Sequence, residues 1–184
     1  TISQSSLPEL SNEKPAMPDF NNPPIHRHES LVPFSRDHYQ GLVVARRLVL
    51  AGAPDAEPVD RRTALEEFVT AWNGEIGEHF EDEERLLLEH LADDDRDRLL
   101  TEHETLRTHA SQADHLRRKD DPDRDVVRRM GETLERHIRW EERDLFTRLQ
   151  NQLSTDQLRA IQQETAIIEA RRPRNACRTR GSEG

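Results

Sequence analysis

Apolar residues recur every three or four positions along most of this chain, and the stripes they form are broken by only a few loop signals. A first helix is predicted to begin at Ser35, a good N-cap with Asp37 in its opening turn, and to run through Leu42, Ala45 and Val49 to Gly52. The stretch 52–58 reads as a loop. A long second helix covers about 60–91, with Trp72, Ile76, His79, Glu83 and Leu86 at inward positions, and ends near Asp93, Asp94 and Asp95. Those acids suit the start of a third helix over about 95–118, with Leu99, Leu106, Ala110 and Leu116 on its inner face. After a turn at 119–123, with Pro122 near its end, a fourth helix runs to about Gln152 along Val127, Met130, Leu134, His137, Glu141 and Leu145. Ser154 or Thr155 caps a shorter fifth helix, with Leu158, Ile161, Ile167 and Ile168 on its apolar face.

Four long helices with short connections predict an all-α fold, an antiparallel up-down-up-down four-helix bundle over 31–152. Flanking it are a Pro-rich polar tail (1–30), a C-terminal helix (153–170) and a basic flexible tail (171–184). Composition fits narrow apolar stripes rather than sheets: 33% of residues are hydrophobic, 35% charged and only 4% aromatic. A formal charge of −10 argues against nucleic-acid or anionic-membrane partners. With no apolar run of membrane-spanning length and no signal-peptide core, a cytoplasmic setting is expected. The single Cys177 excludes an internal disulfide and a cysteine-based zinc site, and is expected to be an exposed thiol in the basic tail.

Two segments share a chemical pattern, His79-Phe-Glu-Asp-Glu83 and His137-Ile-Arg-Trp-Glu141. Four residues apart, imidazole and carboxylate stack on one helix face. The spacing by itself says little, since with 37 acids in 184 residues about one histidine in five has an acid four positions on by chance. What matters is that both pairs fall on apolar stripes, where an unpaired carboxylate costs several kcal/mol and calls for a positive partner such as a metal ion.

Depth along the bundle brings further groups to the same level. His103 lies on the stripe of Leu99, Leu106 and Ala110, and counting from the turns near 94 and 121 places it beside Glu83 and the His137–Glu141 pair. His38 lies on the inner stripe of the first helix but about six residues out of register with His79, roughly 9 Å at 1.5 Å per residue. Either the second helix overhangs the first or the loop climbs beside it. The resulting set is His38, His79, Glu83, His103, His137 and Glu141. Nitrogen and oxygen donors without thiolate suit iron or manganese, with zinc possible, and six donors suit two ions with the glutamates bridging. His90 is read as an end-of-bundle residue, His109 as exposed, and Trp72 and Phe80 as packing that could wall a small pocket.

The segments Arg27-His28-Glu-Ser-Leu31, Phe34-Ser-Arg-Asp-His38, His79-Phe-Glu-Asp-Glu-Glu-Arg85, Glu102-His103-Glu-Thr-Leu106 and His137-Ile-Arg-Trp-Glu-Glu-Arg143, in this order, resemble the hemerythrin-like family with its His-His-Glu cation-binding motifs. The resemblance implies a four-helix bundle holding two non-haem iron ions, bridged by carboxylates and an oxo or hydroxo group. It also implies a small partner: O2, NO or peroxide. Oxygen-carrying members have a further histidine where this chain has Arg107, and a His-x4-Asp spacing where it has His137-x3-Glu141. The four-His, two-Glu set is closer to the branch linked to iron-sulfur repair and nitric oxide stress. Related sequences often carry two adjacent histidines near His38; here the second is Tyr39, which would face the metal if that position supplied the ligand.

Three functions are therefore open: a protein that binds or senses O2 or NO or handles iron under oxidative or nitrosative stress, a redox enzyme using the same centre, and a metal-free helical interaction module. A redox partner or a homodimer is compatible with the first two.

Overall fold

A computed structural model describes residues 26–171; most of the proline-rich N-terminal stretch, and the basic end with Cys177, lie outside them. All regular structure among the described residues is helical. A 3-10 turn at Glu29–Leu31 leads into α1 (Val32–Ala51), followed by α2 (Pro58–Ala71), α3 (Gly77–Leu87), α4 (Asp93–Leu116), α5 (Arg124–Trp140), α6 (Phe146–Gln152) and α7 (Thr155–Arg171). Five-residue π turns, Trp72–Ile76 and Glu141–Leu145, join α2 to α3 and α5 to α6, making two long rods of the four segments.

Local chemistry sets most of the ends. Pro58 opens α2, where the Glu57 backbone N–H donates to Asp60 Oδ2 at 3.1 Å. Asp123 Oδ1 accepts from the backbone N–H groups of Asp125 and Val126 at 2.9 and 3.0 Å to cap α5. Ser154 and Gln157 satisfy each other's backbone N–H at the start of α7. α1 starts at Val32, ahead of the expected Ser35. Pro33 presets its first turn, and His28 Nδ1 accepts from the Ser30 backbone N–H to fix the turn before it. Its buried stripe is Phe34, His38, Gly41, Val44, Ala45 and Leu48, so Leu42 and Val49 lie at the margin. On α7, Leu158, Ile161 and Thr165 face inward while Ile167 is exposed.

The rods and α1 and α4 pack side by side around two apolar clusters. One contains Leu48, Leu65, Phe68, Leu106 and Leu134. The other contains Leu31, Phe34, Leu87, Leu99, Leu145 and Phe146, with Ile161 of α7 laid against it. α1 and α5 approach very closely, and two glycines permit it. A Cβ on Gly41 would stand 2.6 Å from Ile138 Cδ1, and one on Gly131 would stand 2.5 Å from the Ala45 carbonyl oxygen.

The register gap between His38 and His79 is closed by an overhang of α2. Its first turns extend past the end of α1 and lie against the turn between α4 and α5. There the buried Arg61 donates from Nε to the Pro122 carbonyl and from Nη1 to the Ala56 carbonyl, both at 2.8 Å, and pairs with Asp121. Arg62 donates to the Asp120 carbonyl beside it.

Two substitutions test this packing by denaturant unfolding. Arg61→Ala strands the buried Pro122 carbonyl and the half-buried Ala56 carbonyl and should lower stability by roughly 3 kcal/mol. Gly131→Ala would ordinarily gain up to about 1 kcal/mol in a helix. Here the contact with backbone reverses the sign, for an expected loss of roughly 1–3 kcal/mol.

Candidate metal centre

Between the two apolar clusters lies a single polar layer. α1 supplies His38, α3 His79 and Glu83, α4 His103, and α5 His137; Glu141 opens the second π turn. All six side chains are buried, and Glu83, Glu141 and His103 have no solvent exposure at all. The four expected imidazoles and two expected carboxylates therefore meet in one place. Both π turns lie in the rods that carry the His-x3-Glu pairs, one just ahead of His79 and the other at Glu141. In each, the closing N–H, from Gly77 or Phe146, reaches back five residues, to Trp72 or Glu141. Wide turns of this kind recur at functional sites because they shift the phase of a helix face locally.

The rings point inward by their Nε2 atoms. His38 Nε2 lies 3.1 Å from Glu141 and 3.5 Å from Glu83; His79 Nε2 lies 3.2 Å from Glu83. His137 Nε2 is 3.3 Å from Glu141, and His103 Nε2 is 3.5 Å from Glu83 and 3.8 Å from Glu141. None of these four nitrogens, and none of the four oxygens of Glu83 and Glu141, has a hydrogen-bond partner of proper geometry. Buried donors and acceptors are seldom left in that state. Atoms about 2.1 Å from one metal ion stand roughly 3.0 Å apart at a right angle and roughly 3.4 Å apart at a tetrahedral angle. The observed spacings fit donors arranged around cations better than donors bonded to one another. They fall into two overlapping groups, Glu83 with His103, His137 and Glu141, and Glu83 with His38 and His79; within each group the donor atoms lie within 4.8 Å of one another.

Behind each ring stands another carboxylate. Nδ1 of His38 meets Glu142 at 2.6 Å, that of His103 meets Glu84 at 2.7 Å, and that of His137 meets Glu102 at 2.9 Å; His79 Nδ1 lies 3.4 Å from Asp37. A carboxylate accepting from Nδ1–H fixes the tautomer, leaves the Nε2 lone pair facing the centre and makes it a better ligand. Three of these carboxylates are anchored in turn by guanidinium groups at 2.8 Å: Glu142 by Arg27, Glu84 by Arg107 and Glu102 by Arg98. Phenylalanines close the layer. Phe80 stacks on His103 at 4.0 Å between centroids and Phe146 on His38 at 5.4 Å.

Carboxylates around the layer raise three of its four rings. Burial works against charge on the rings, but Glu141, Glu142 and Glu83 hold His38 well above the usual imidazole range. Burial is likewise overcome at His103, which Glu141, Glu83 and Glu84 raise to about 10. At His79 the Glu83 charge and Asp37 prevail over burial and raise it. Glu83 is held well down, because His79, His103 and His38 overcome the cost of burying it. Glu142, half buried, is pulled to about 2 by His38, Ser35 and Arg27.

Tyr39 is 68% exposed, so it does not face the layer; on α1 it points away from the side that carries His38. His109 is half-buried rather than exposed, and burial beside Arg129 lowers its basicity. His90 lies beside Glu89, away from the centre. Trp72 packs edge-on against Phe80 at 5.3 Å. Apolar periodicity does not mark Asp37, Glu84, Glu102 and Glu142 as supports of the rings. A signal existed: each adjoins a member of the inner set in sequence, at 37/38, 83/84, 102/103 and 141/142.

A helical bundle with a buried layer of imidazoles and carboxylates fitted to cations defines a class of metal-binding proteins. The family model of the hemerythrin HHE cation binding domain matches residues 40–150, more than half of the chain, and the chain belongs to that family. The match begins just after His38, whose place in the layer rests on the geometry above. No curated protein and no solved structure matches the chain.

The raised histidines set a pH dependence of definite sign. In metal-free protein the folded value for His103, about 10, exceeds the value of 6.5 for an ordinary imidazole. Its contribution to stability is therefore complete below about pH 6.5 and is lost as pH rises through about 10. A metal competes with that proton, so the stabilisation gained on adding metal should grow between pH 6 and 9. Thermal melts of stripped and metal-loaded protein across this range would measure both trends.

Proposed function

We propose that this chain is a non-haem di-iron protein in which His38, His79, Glu83, His103, His137 and Glu141 are the ligands. Glu83 and Glu141 would hold the ions together with the four rings, and an oxo or hydroxo group would complete the centre. The observation that carries this reading is the convergence of four ring nitrogens and four carboxylate oxygens, all buried and without partners, on one layer. A metal-free interaction module would leave those atoms uncompensated. The reading takes the rods, α1 and α4 as an antiparallel up-down-up-down bundle, supported by the contacts of Gly41 with Ile138 and Gly131 with Ala45, and by the Arg148–Asp95 ion pair. Iron is favoured over manganese or zinc by the nitrogen-rich, thiolate-free donor set and by the capacity for two ions.

The role of the centre is to bind or sense O2 or NO, or to handle iron under oxidative or nitrosative stress. Bound iron would supply reversible redox chemistry toward such molecules. The protein's own residues supply the setting. Glu142, Glu84 and Glu102 orient the rings, while Phe80 and Phe146 exclude water from two of them. A narrow pocket of about 20 Å³, lined by Gly41, Ala71, Ile76 and Ile138, reaches His38 and His79. That is room for a molecule about the size of water. Tyr39 is turned outward and brings no phenol to the layer, which favours a binder or sensor over a turnover enzyme.

Anaerobic loading with Fe(II) should give about two irons per chain, and admission of O2 should then produce near-UV oxo-bridge absorption. A protein that stays colourless and holds no metal would reject the proposal. Glu141→Ala should reduce the iron content to one or none and lower the melting temperature of the loaded form, as determined by metal analysis and calorimetry.

A further inference from the structure

The two ends of the buried layer are built differently. At one end His103 and His137 each donate to a carboxylate at 2.7 and 2.9 Å, and each carboxylate is pinned by an α4 arginine at 2.8 Å, Glu84 by Arg107 and Glu102 by Arg98. Phe80 stacks on His103 and meets His137 edge-on, so this pair of rings is clamped on two sides. Four donors gather there: Glu83, His103, His137 and Glu141. At the other end His38, His79 and Glu83 gather, and Glu141 reaches this end only through His38, whose Nε2 lies 3.1 Å from it. His38 is well supported by Glu142 at 2.6 Å, itself anchored by Arg27, but His79 Nδ1 stands 3.4 Å from Asp37, the longest of the four supports. The small apolar pocket also borders His38 and His79, not His103 or His137.

We infer that the centre holds two metal ions of unequal affinity: a tight one at the His103/His137 end and an exchangeable one at the His38/His79 end, filled last and lost first. This inference rests on the two-metal reading above and adds an order of loading to it. Arg107 and Arg98 are positioning residues for the tight ion. They touch no metal, and act by holding the carboxylates that fix the direction and basicity of two rings. A ring held on both sides has little freedom left to lose on binding a cation, whereas a loosely held one must be ordered by the cation itself. Losing such an outer support typically weakens metal affinity 10- to 100-fold. Arg107 is also the residue that stands where the resemblance would place a further imidazole. Its guanidinium is engaged by Glu84, so it contributes to this end from behind the ring rather than as a donor.

The test is an anaerobic titration of metal-stripped full-length protein with Co(II), followed by visible absorption and by competition with a chelator of known affinity. Two steps are expected, the first at least 10-fold tighter than the second. Arg107→Ala should weaken the first step 10- to 100-fold and leave the second in place, with the helical circular dichroism of the stripped protein unchanged. Arg107→Lys should recover part of the loss. His79→Ala should abolish the second step alone. Two steps of equal affinity, or an Arg107→Ala protein that weakens both alike or neither, would overturn the inference while leaving a two-metal centre intact. A wild-type protein that binds one ion or none would overturn the two-metal reading as well.

Discussion

Burying Glu83 and Glu141 side by side, with no exposure to solvent, is the constraint around which this protein is arranged. Two carboxylates in a dry layer repel each other, and each would cost several kcal/mol if left uncompensated. The response is an alternation of charge that runs outward from the centre. Central carboxylates are ringed by imidazoles, the imidazoles are backed by Glu142, Glu84 and Glu102, and these are met by Arg27, Arg107 and Arg98. Each layer makes the one inside it tolerable, and in the outermost Arg107 and Arg98 have access to water while Arg27 is largely covered. The raised histidines and depressed glutamates are two faces of this one arrangement.

The fold confines this cost to a thin slab. Apolar clusters lie on both sides of it, so the helices gain their packing elsewhere and need not be weakened by the polar layer they share. The close approach of α1 to α5 at Gly41 and Gly131 keeps His38 on its helix near Glu141 on the opposite rod. The wide turns at 72–76 and 141–145 let each rod keep an apolar stripe above and below the layer while turning a histidine or a glutamate into it.

Much of this was legible from residues alone. The stripe of Val127, Met130, Leu134, His137, Glu141 and Leu145 is buried throughout, because strong amphipathic periodicity leaves a helix few other ways to pack. The inner histidines and glutamates were legible for the same reason: they are polar residues on apolar stripes. What periodicity could not reveal was phase. A π turn inserts a fraction of a turn with no sequence mark of its own, and the overhang of α2 depends on Arg61 finding the Pro122 carbonyl, 61 residues away. The outer carboxylates were hidden differently. On a chain with 37 acids, those that brace a ring look like any solvated charge until three dimensions separate them. Tyr39 shows the converse: its neighbour His38 points inward and it does not, a difference that one residue of helical rotation decides.

Arg27 precedes the first helix by several residues, yet it reaches across to Glu142 on the last rod and lies over the ring of Phe146. The working edge of this domain is thus earlier than either its helices or its family match would suggest. A fragment cut at the start of the matched region would forfeit His38, Asp37 and Arg27 together: a ligand candidate, a brace and an anchor. For anyone trimming the chain for expression or grafting it onto another protein, the few residues ahead of α1 are not a leader to discard but part of the centre's scaffold.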